Sequence, residues 1–394
     1  MAIKVAKRGL VPPFMVMDVM RDAAHLEAQG RSIIHLEVGQ PSTGMPKAAA
    51  AKVAHAVDGT PRGNPLGYTV AGGMPLLTAR IARHYRDTYG VDVPDARIFA
   101  TTGSSGGFIL AFLAAFEAGD RVALAAPGYP AYRHILTSLG IVPELIAVDG
   151  ATHYQPTVDH LKKMAQENRG LPDGLIIGSP ANPTGSVVPP DEFRALVQFC
   201  DHNGVRLVSD EIYHGITYGV KATTAAGLSD STFVVNSFSK YFSMTGWRLG
   251  WLVVPPDLAR PIECLAQNLF IAPPAVSQHG GIAVFDCRDE LDANVARYAR
   301  NRDVLLRRLP ESGFTQFAPA DGAFYIYADA SSFGEASPSL CKRMLNEAGV
   351  ATTPGVDFDP FKGDRFVRFS FAGSTEDMEE SCTRLAAWRN GKKV

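Results

Sequence analysis

The chain has 394 residues, 46% hydrophobic and 20% charged, an ordinary globular balance on a chain long enough for two domains. A formal net charge of -2 offers neither the basic footprint of a nucleic-acid binder nor a strong acidic field. No run approaches the roughly 20 apolar residues of a membrane span, and five cysteines without CxxC spacing speak against a disulfide framework or a zinc site.

Those cysteines (Cys200, Cys264, Cys287, Cys341 and Cys382) read as reduced, mostly buried thiols. The first apolar stretch is interrupted by Pro12, Pro13 and Asp18, and no small-residue cleavage site follows it, so no signal peptide is expected. A soluble cytoplasmic protein is the remaining class.

From Phe14 to Gln29 the apolar residues recur at helical spacing, and HLEVGQP then ends in a turn. Met74 to Tyr89 reads as a second helix. From about residue 97 short β-rich runs take over: RIFAT, RVALAA, GIVPELIAV, GLIIGS, VRLVSD, FVVNS and LGWLVV. Several are apolar throughout, as strands covered on both faces are. Helical stretches such as FILAFLAAF and EFRALVQFCDH lie between them, and this alternation predicts an α/β domain with a mostly parallel sheet. After about residue 285 a charged helix (Glu290 to Leu309) precedes GAFYIYAD, a further helix and RFVRFSFAG, the pattern of a smaller α+β domain. The expected division is an N-terminal arm with part of the small domain (1–40), a large domain (41–284) and a small C-terminal domain (285–394).

At the carboxyl end of each apolar run sits a polar cluster. RIFAT leads into TGSSGG, VALAA into PGYPAY, LIIGS into PANPTG, VRLVS into DEIY, and FVVNS into FSK. In open α/β sheets the ligand site lies outside those carboxyl ends, so five loops converge on one rim. Each feature alone has a plain structural reading: a capped strand-to-helix turn, an Asn-Pro turn, a helix cap at Asp210, a packed aromatic at Tyr129, a surface lysine at Lys240. Together they supply a hydroxyl-rich glycine loop for a phosphate, a carboxylate, an aromatic, an amide and a lysine. No GxGxxG and no P-loop GK[ST] accompanies them. The set suits an anionic heteroaromatic cofactor.

With these residues in hand, the chain resembles the class I/II, aspartate-aminotransferase-like enzymes that depend on pyridoxal phosphate. Ser237, Ser239, Lys240, Ser243, Gly246, Arg248 and Gly250 fit the lysine signature of that family, and ANPTG and SDEIY stand in the expected order. The resemblance runs from about Gly39 to Arg368. It implies fold type I, with a mostly parallel seven-stranded sheet in a large domain beside a smaller α+β domain.

The resemblance also implies roles. Lys240 would hold pyridoxal 5'-phosphate as a Schiff base and shuttle the proton. Asp210 would pair with the pyridine nitrogen and keep the ring an electron sink. Asn182 and Tyr213 would hydrogen-bond the phenolic oxygen, and Tyr129 would stack on the ring. Ser104, Ser105, Ser237 and Arg248 would hold the phosphate, with Gly106 in the same loop. Tyr68 matches a tyrosine that reaches the phosphate of a neighbouring subunit, which implies a homodimer with shared sites. Arg368 would clamp the substrate carboxylate, and Gly39 would bring its backbone close to that carboxylate, where a Cβ would intrude.

The expected reaction moves an amino group between an L-amino acid and a 2-oxo acid, with 2-oxoglutarate as the expected acceptor and ping-pong kinetics. Thr78 stands where the family often has arginine. QNLFIAPPAVSQ, near the expected interface, offers no second arginine for an acidic side chain, which points to small or hydrophobic substrates. A C–S β-lyase or a racemase would use nearly the same residues. A cofactor-binding regulator would need a DNA-binding domain, and the family-like region begins too near the N-terminus for one.

Overall fold

Seven of the apolar runs become the strands of one sheet, and helices cover both of its faces. The computed structural model describes residues 3–58, 66–167 and 170–392. The chain opens with α1 (Met15–Ala28), β1 (Ile34–His35), α2 (Lys47–Asp58) and α3 (Pro75–Tyr89). The sheet region follows as β2 (Ile98–Thr101), α4 (Gly103–Ala115), β3 (Arg121–Ala126), α5 (Pro130–Leu139), β4 (Val142–Ala147), α6 (Val158–Glu167), β5 (Gly174–Gly178), α7 (Pro190–Asn203), β6 (Arg206–Asp210), β7 (Phe233–Ser237) and β8 (Gly250–Val253). Then come α8 (Ala259–Leu269), α9 (Ala275–Val284), α10 (Arg288–Arg308), β9 (Tyr325–Asp329), α11 (Ser337–Arg343), β10 (Val350–Ala351), β11 (Thr353–Pro354), β12 (Phe366–Ser370) and α12 (Thr375–Arg389).

The strand order is β2-β8-β7-β6-β5-β3-β4. Successive residues of a strand point to opposite faces. Leu175, Leu207, Val234 and Trp251 therefore enter the core shared with α3, α7 and α9. Their neighbours Ile176, Val208, Val235 and Leu252 enter the core shared with α4, α5 and α8. Burial on both faces is why these strands carry apolar runs rather than alternation.

The sheet is mostly parallel, as its sequence pattern predicts, with one reversal. β8 runs antiparallel to both β7 and β2. Only a short 3-10 turn (Thr245–Trp247) stands between β7 and β8. A parallel return needs a longer crossover, usually a helix, so β8 comes back the other way. The reversal places the start of β8 on the same rim as the carboxyl ends of the other strands.

A second core gathers around the antiparallel sheet β11-β12-β9, with Tyr298, Leu305, Phe314, Ile326, Phe369 and Leu385 among its members. β1 pairs in parallel with β10, so Ile34 and Leu36 join that core. Ile212, Tyr213 and Ile216, just past β6, also pack into it, tying the rim of the large sheet to the smaller one. No helix among the described residues is long and apolar enough to cross a membrane.

Candidate active site

Six strands end, and β8 begins, on one rim of the large sheet. There the loops enclose a cavity of about 290 Å³, whose wall includes Gly39, Ser104, Ser105, Tyr129, Asn182, Asp210, Tyr213, Lys240 and Arg248. Arg368 reaches the same cavity from β12, across from the large sheet. Residues separated by more than three hundred positions are thus brought together.

Lys240 stands three residues past the end of β7, and its Nζ donates to the carbonyl of Gly39 at 2.6 Å. Burial is the main force pulling its pKa down to about 8. Repulsion from Arg368 and Arg248 adds to it, against the attraction of Asp210. An amine in this range reaches its neutral, nucleophilic form near neutral pH far more readily than a surface lysine does. Gly39 is required here by packing. A Cβ at that position would lie 1.8 Å from the hydroxyl of Tyr325, so the crowding comes from that ring.

Asp210 closes β6. Its Oδ1 accepts from the backbone N–H of Ile212 at 3.0 Å and its Oδ2 accepts from the Tyr132 hydroxyl. Burial raises its pKa to about 6, while those two donors hold the carboxylate form in place. A buried carboxylate with two neutral donors, and no cation bonded to it among the described residues, is suited to receive a positive ring nitrogen. Tyr132→Phe removes a donor to the charged form, which raises the pKa of Asp210. Ionised Asp210 then appears only at higher pH. The acid limb of kcat/KM is expected to move up by about one pH unit, since a hydrogen bond to a charged group contributes about 1.5–3 kcal/mol. A pH–rate profile identical to that of the wild type would refute the coupling.

The first turn of α4 presents the Ser104 and Ser105 hydroxyls and free backbone N–H groups to the cavity, an arrangement that attracts anions. Gly103 has φ +72°, and a Cβ there would lie 2.5 Å from Nη2 of Arg248, so the glycine leaves room for the guanidinium beside the helix start. Arg248 Nη1 donates to the Thr245 carbonyl at 3.0 Å.

Two residues of the expected cradle stand behind the wall. Ser237 is 1% exposed, and its hydroxyl donates to Ser239 Oγ at 2.9 Å and to the Leu249 carbonyl at 3.3 Å. Ser239 is the serine that lines the cavity. Gly106 is buried within α4, where a Cβ would meet Thr102 Oγ1 at 2.4 Å. Tyr68 is 85% exposed and lies outside the wall.

Arg368 is the most telling group. It is 1% exposed, and no side-chain carboxylate among the described residues forms an ion pair with it. Its Nη1 donates to Asn182 Oδ1 at 2.9 Å, and its Nη2 donates to the Glu37 carbonyl and, at 3.2 Å, to Thr353 Oγ1. The guanidinium carbon lies 4.4 Å from the Tyr325 ring centre and 4.7 Å from that of Phe358. Its Nε has no partner among the described residues. A buried cation without an anion is costly, and an incoming carboxylate relieves that cost.

The sequence model of the family "Aminotransferase class I and II" matches residues 31–385. The chain is a class I and II aminotransferase. It is 47% identical to a valine–pyruvate aminotransferase of Mycobacterium tuberculosis, over 98% of this chain and 99% of that protein. A crystal structure of an aminotransferase from Mycobacterium tuberculosis superposes with a TM-score of 0.95 at 46% identity, covering 99% of this chain and all of that one (100%). Aspartate aminotransferase from Thermus thermophilus with maleate superposes with a TM-score of 0.89 at 25% identity, covering 98% and 99%. Members of this family depend on pyridoxal phosphate.

Several wall residues of this aminotransferase were not legible as such in the sequence. Tyr132 stands three positions after Tyr129 at the start of α5, and that helical spacing was a usable signal. Tyr325, whose hydroxyl lies 2.7 Å from that of Tyr213, sits in an apolar strand that gave no hint of a polar role. Phe14, Val16, Met17 and Met20 form an apolar side of the cavity with Val38 and Ile135. Their helical pattern reads equally well as core packing.

Proposed function

We propose that this aminotransferase takes its amino group from an L-amino acid with an aliphatic side chain and passes it to pyruvate, with pyridoxal 5'-phosphate as cofactor. The observation that carries the substrate reading is the cavity wall. Phe14, Val16, Met17, Met20, Val38 and Ile135 are apolar, and Lys240, Arg248 and Arg368 are its basic residues among those described. Two of these already have work to do in the reading, Arg248 with a phosphate and Arg368 with the α-carboxylate. None is left for the distal carboxylate of aspartate, glutamate or 2-oxoglutarate. The relative named for valine and pyruvate supports the same choice.

The residues fit the cofactor. Lys240 is the amine for its aldehyde, Asp210 the anion for its ring nitrogen, and Ser104, Ser105, Ser239, Arg248 and the start of α4 the cradle for its phosphate. Tyr129 offers a ring face, and Asn182 and Tyr213 offer polar groups at the ring edge. When bound, the cofactor supplies an electron sink for the bond broken at Cα.

The protein does the rest. Arg368 takes the α-carboxylate, guided by Asn182 and by the Glu37 carbonyl. The apolar wall receives the side chain and keeps water from the reacting carbon. Lys240, as a neutral amine beside the reacting carbon, would take the Cα proton on its Nζ and later hand it back. Its lowered pKa lets it serve as base and then acid near neutral pH.

The active unit we propose is a homodimer. An aromatic as exposed as Tyr68 is suited to burial against a second copy, where it would reach the partner's phosphate cradle.

Single-turnover reactions of the cofactor-loaded protein with valine, alanine, leucine, aspartate and glutamate, each followed by loss of the donor, test the substrate reading. Valine, alanine and leucine are expected to react at least about tenfold faster than the acidic donors, the usual result of burying an unpaired charge. Faster reaction with aspartate or glutamate would overturn it.

A further inference from the structure

Helix α1 supplies Val16, Met17 and Met20 to the apolar wall, yet little apolar packing holds it there. The cluster on its other face is small, with three buried members, Ala23, Leu345 and Ala351, and half-buried Val19, Leu26 and Ile33 packed against them. Polar contacts hold its two ends as well. At the start, the Met15 N–H donates to Asp357 Oδ1 at 3.3 Å. At the other end, Glu27 Oε1 lies 3.1 Å from Nε2 of His35. Glu27 follows Met20 by seven residues, two helical turns, so both lie on one side of α1.

The other ring nitrogen of His35 is also taken. Its Nδ1 lies 2.8 Å from Glu37 Oε1. Glu37 is fully buried, with 0% of its side chain exposed, while His35 and Glu27 stand 41% and 45% exposed at the surface. A ring whose two nitrogens both face carboxylate oxygens donates from both, and it is then an imidazolium. It neutralises a carboxylate that would otherwise be buried alone.

The same short segment holds the catalytic groups. The Glu37 carbonyl accepts from Arg368, and the Gly39 carbonyl accepts from Lys240 at 2.6 Å. Glu27, His35 and Glu37 therefore form a chain from the side-chain wall to the carboxylate clamp.

We propose that His35 is a positioning residue: bridging Glu27 and Glu37, it holds the α1 wall at a set distance from Arg368 and thereby sets the grip on the donor's side chain. The proposal rests on the reading that this side chain packs against α1. Among the described residues, Glu37 on its own segment and Glu27 from α1 are the charged groups that face the ring, and the adjoining strand β10 brings Val350 and Ala351. The hydrogen bond to Glu37, more than any other contact, raises the His35 pKa to about 9, against the opposing effect of burial. The bridge is accordingly present at neutral pH and is lost as pH rises through that value.

The test is steady-state kinetics of the cofactor-loaded protein and its H35Q and E27Q variants, with valine and with alanine as donor. KM for valine is expected to rise about fivefold in both variants, the scale of a partly buried ion pair, with kcat nearly unchanged. KM for alanine, whose single methyl presses on less of the wall, should move less. Between pH 7 and 10 the wild-type KM for valine should climb toward the H35Q value, and comparison with H35Q removes the ionisation of the donor amine, which both share. Unchanged KM in both variants, or an equal fall in kcat for both donors, would overturn the clamp. If the wild type does not turn valine over, the substrate reading fails. The same comparison on the donor it accepts then decides the clamp by itself. E27Q alters a half-exposed carboxylate, so folding is preserved there even if H35Q is impaired.

Discussion

Lys240→Ala is expected to lower transamination by roughly four orders of magnitude, because in the proposed reading it removes both the amine that would hold the cofactor and the base that would move the proton. The side chain ends inside the cavity on the Gly39 carbonyl, not in packed core, so the melting temperature should hardly change. Lys240→Arg should be as inactive as the alanine variant. A guanidinium keeps the positive charge near Asp210, yet it stays protonated and can act neither as nucleophile nor as base. This pair separates the need for charge from the need for a titrating amine. The measurement is kcat together with intact mass after borohydride reduction. The wild type should retain the cofactor mass and both variants should lose it. Turnover of either variant within about a hundredfold of the wild type would remove Lys240 from the centre of the reaction.

Arg368→Met carries the second large effect, and its two readouts should move apart. If Arg368 takes the substrate carboxylate as proposed, loss of those charge-assisted contacts should lower kcat/KM by about a thousandfold, near 4 kcal/mol. Stability should hold or rise. Arg368 is a buried cation with an unpartnered Nε and no carboxylate pair among the described residues, and apolar replacements of such groups are often neutral or stabilising. A donor amine lacking a carboxylate should be used equally poorly by both proteins. A variant that loses stability in step with activity would make Arg368 a structural residue. The same would follow if kcat/KM fell alike for donors with and without the carboxylate.

The legible part of the site was the part written in local sequence. The apolar runs from Ile98 to Val253 became the strands of the large sheet nearly where their pattern ended, because burial on both faces leaves no alternation to confuse the boundaries. Each polar cluster after such a run then landed on the rim, because all strands but β8 point the same way. Asp210 and Lys240 could be located by that rule alone. Ser237 could not be told from Ser239: both flank Phe238 in SFSK, and the turn after β7 decides which hydroxyl faces the cavity.

The illegible part depends on contacts between distant segments. The reversal of β8 came from the lack of a crossover helix, which no residue in LGWLVV announces. Gly39 is constrained by a hydroxyl from β9, nearly three hundred residues away. The apolar side of the cavity comes from α1, whose Met17 and Met20 carry the same helical pattern whether they cover a core or a substrate.

By itself, then, the sequence determined the strands, the chemical inventory of the rim and the lysine at its centre, since each follows from backbone periodicity and neighbours a few residues apart. Tertiary structure alone decided that Arg368 is buried without a carboxylate ion pair among the described residues, that Tyr132 donates to Asp210, and that α1 turns an apolar face into the cavity. Those facts are distances between atoms far apart in the chain, and burial makes them count, because a charge or hydrogen bond withheld from water acts with far greater force than the same group in solvent.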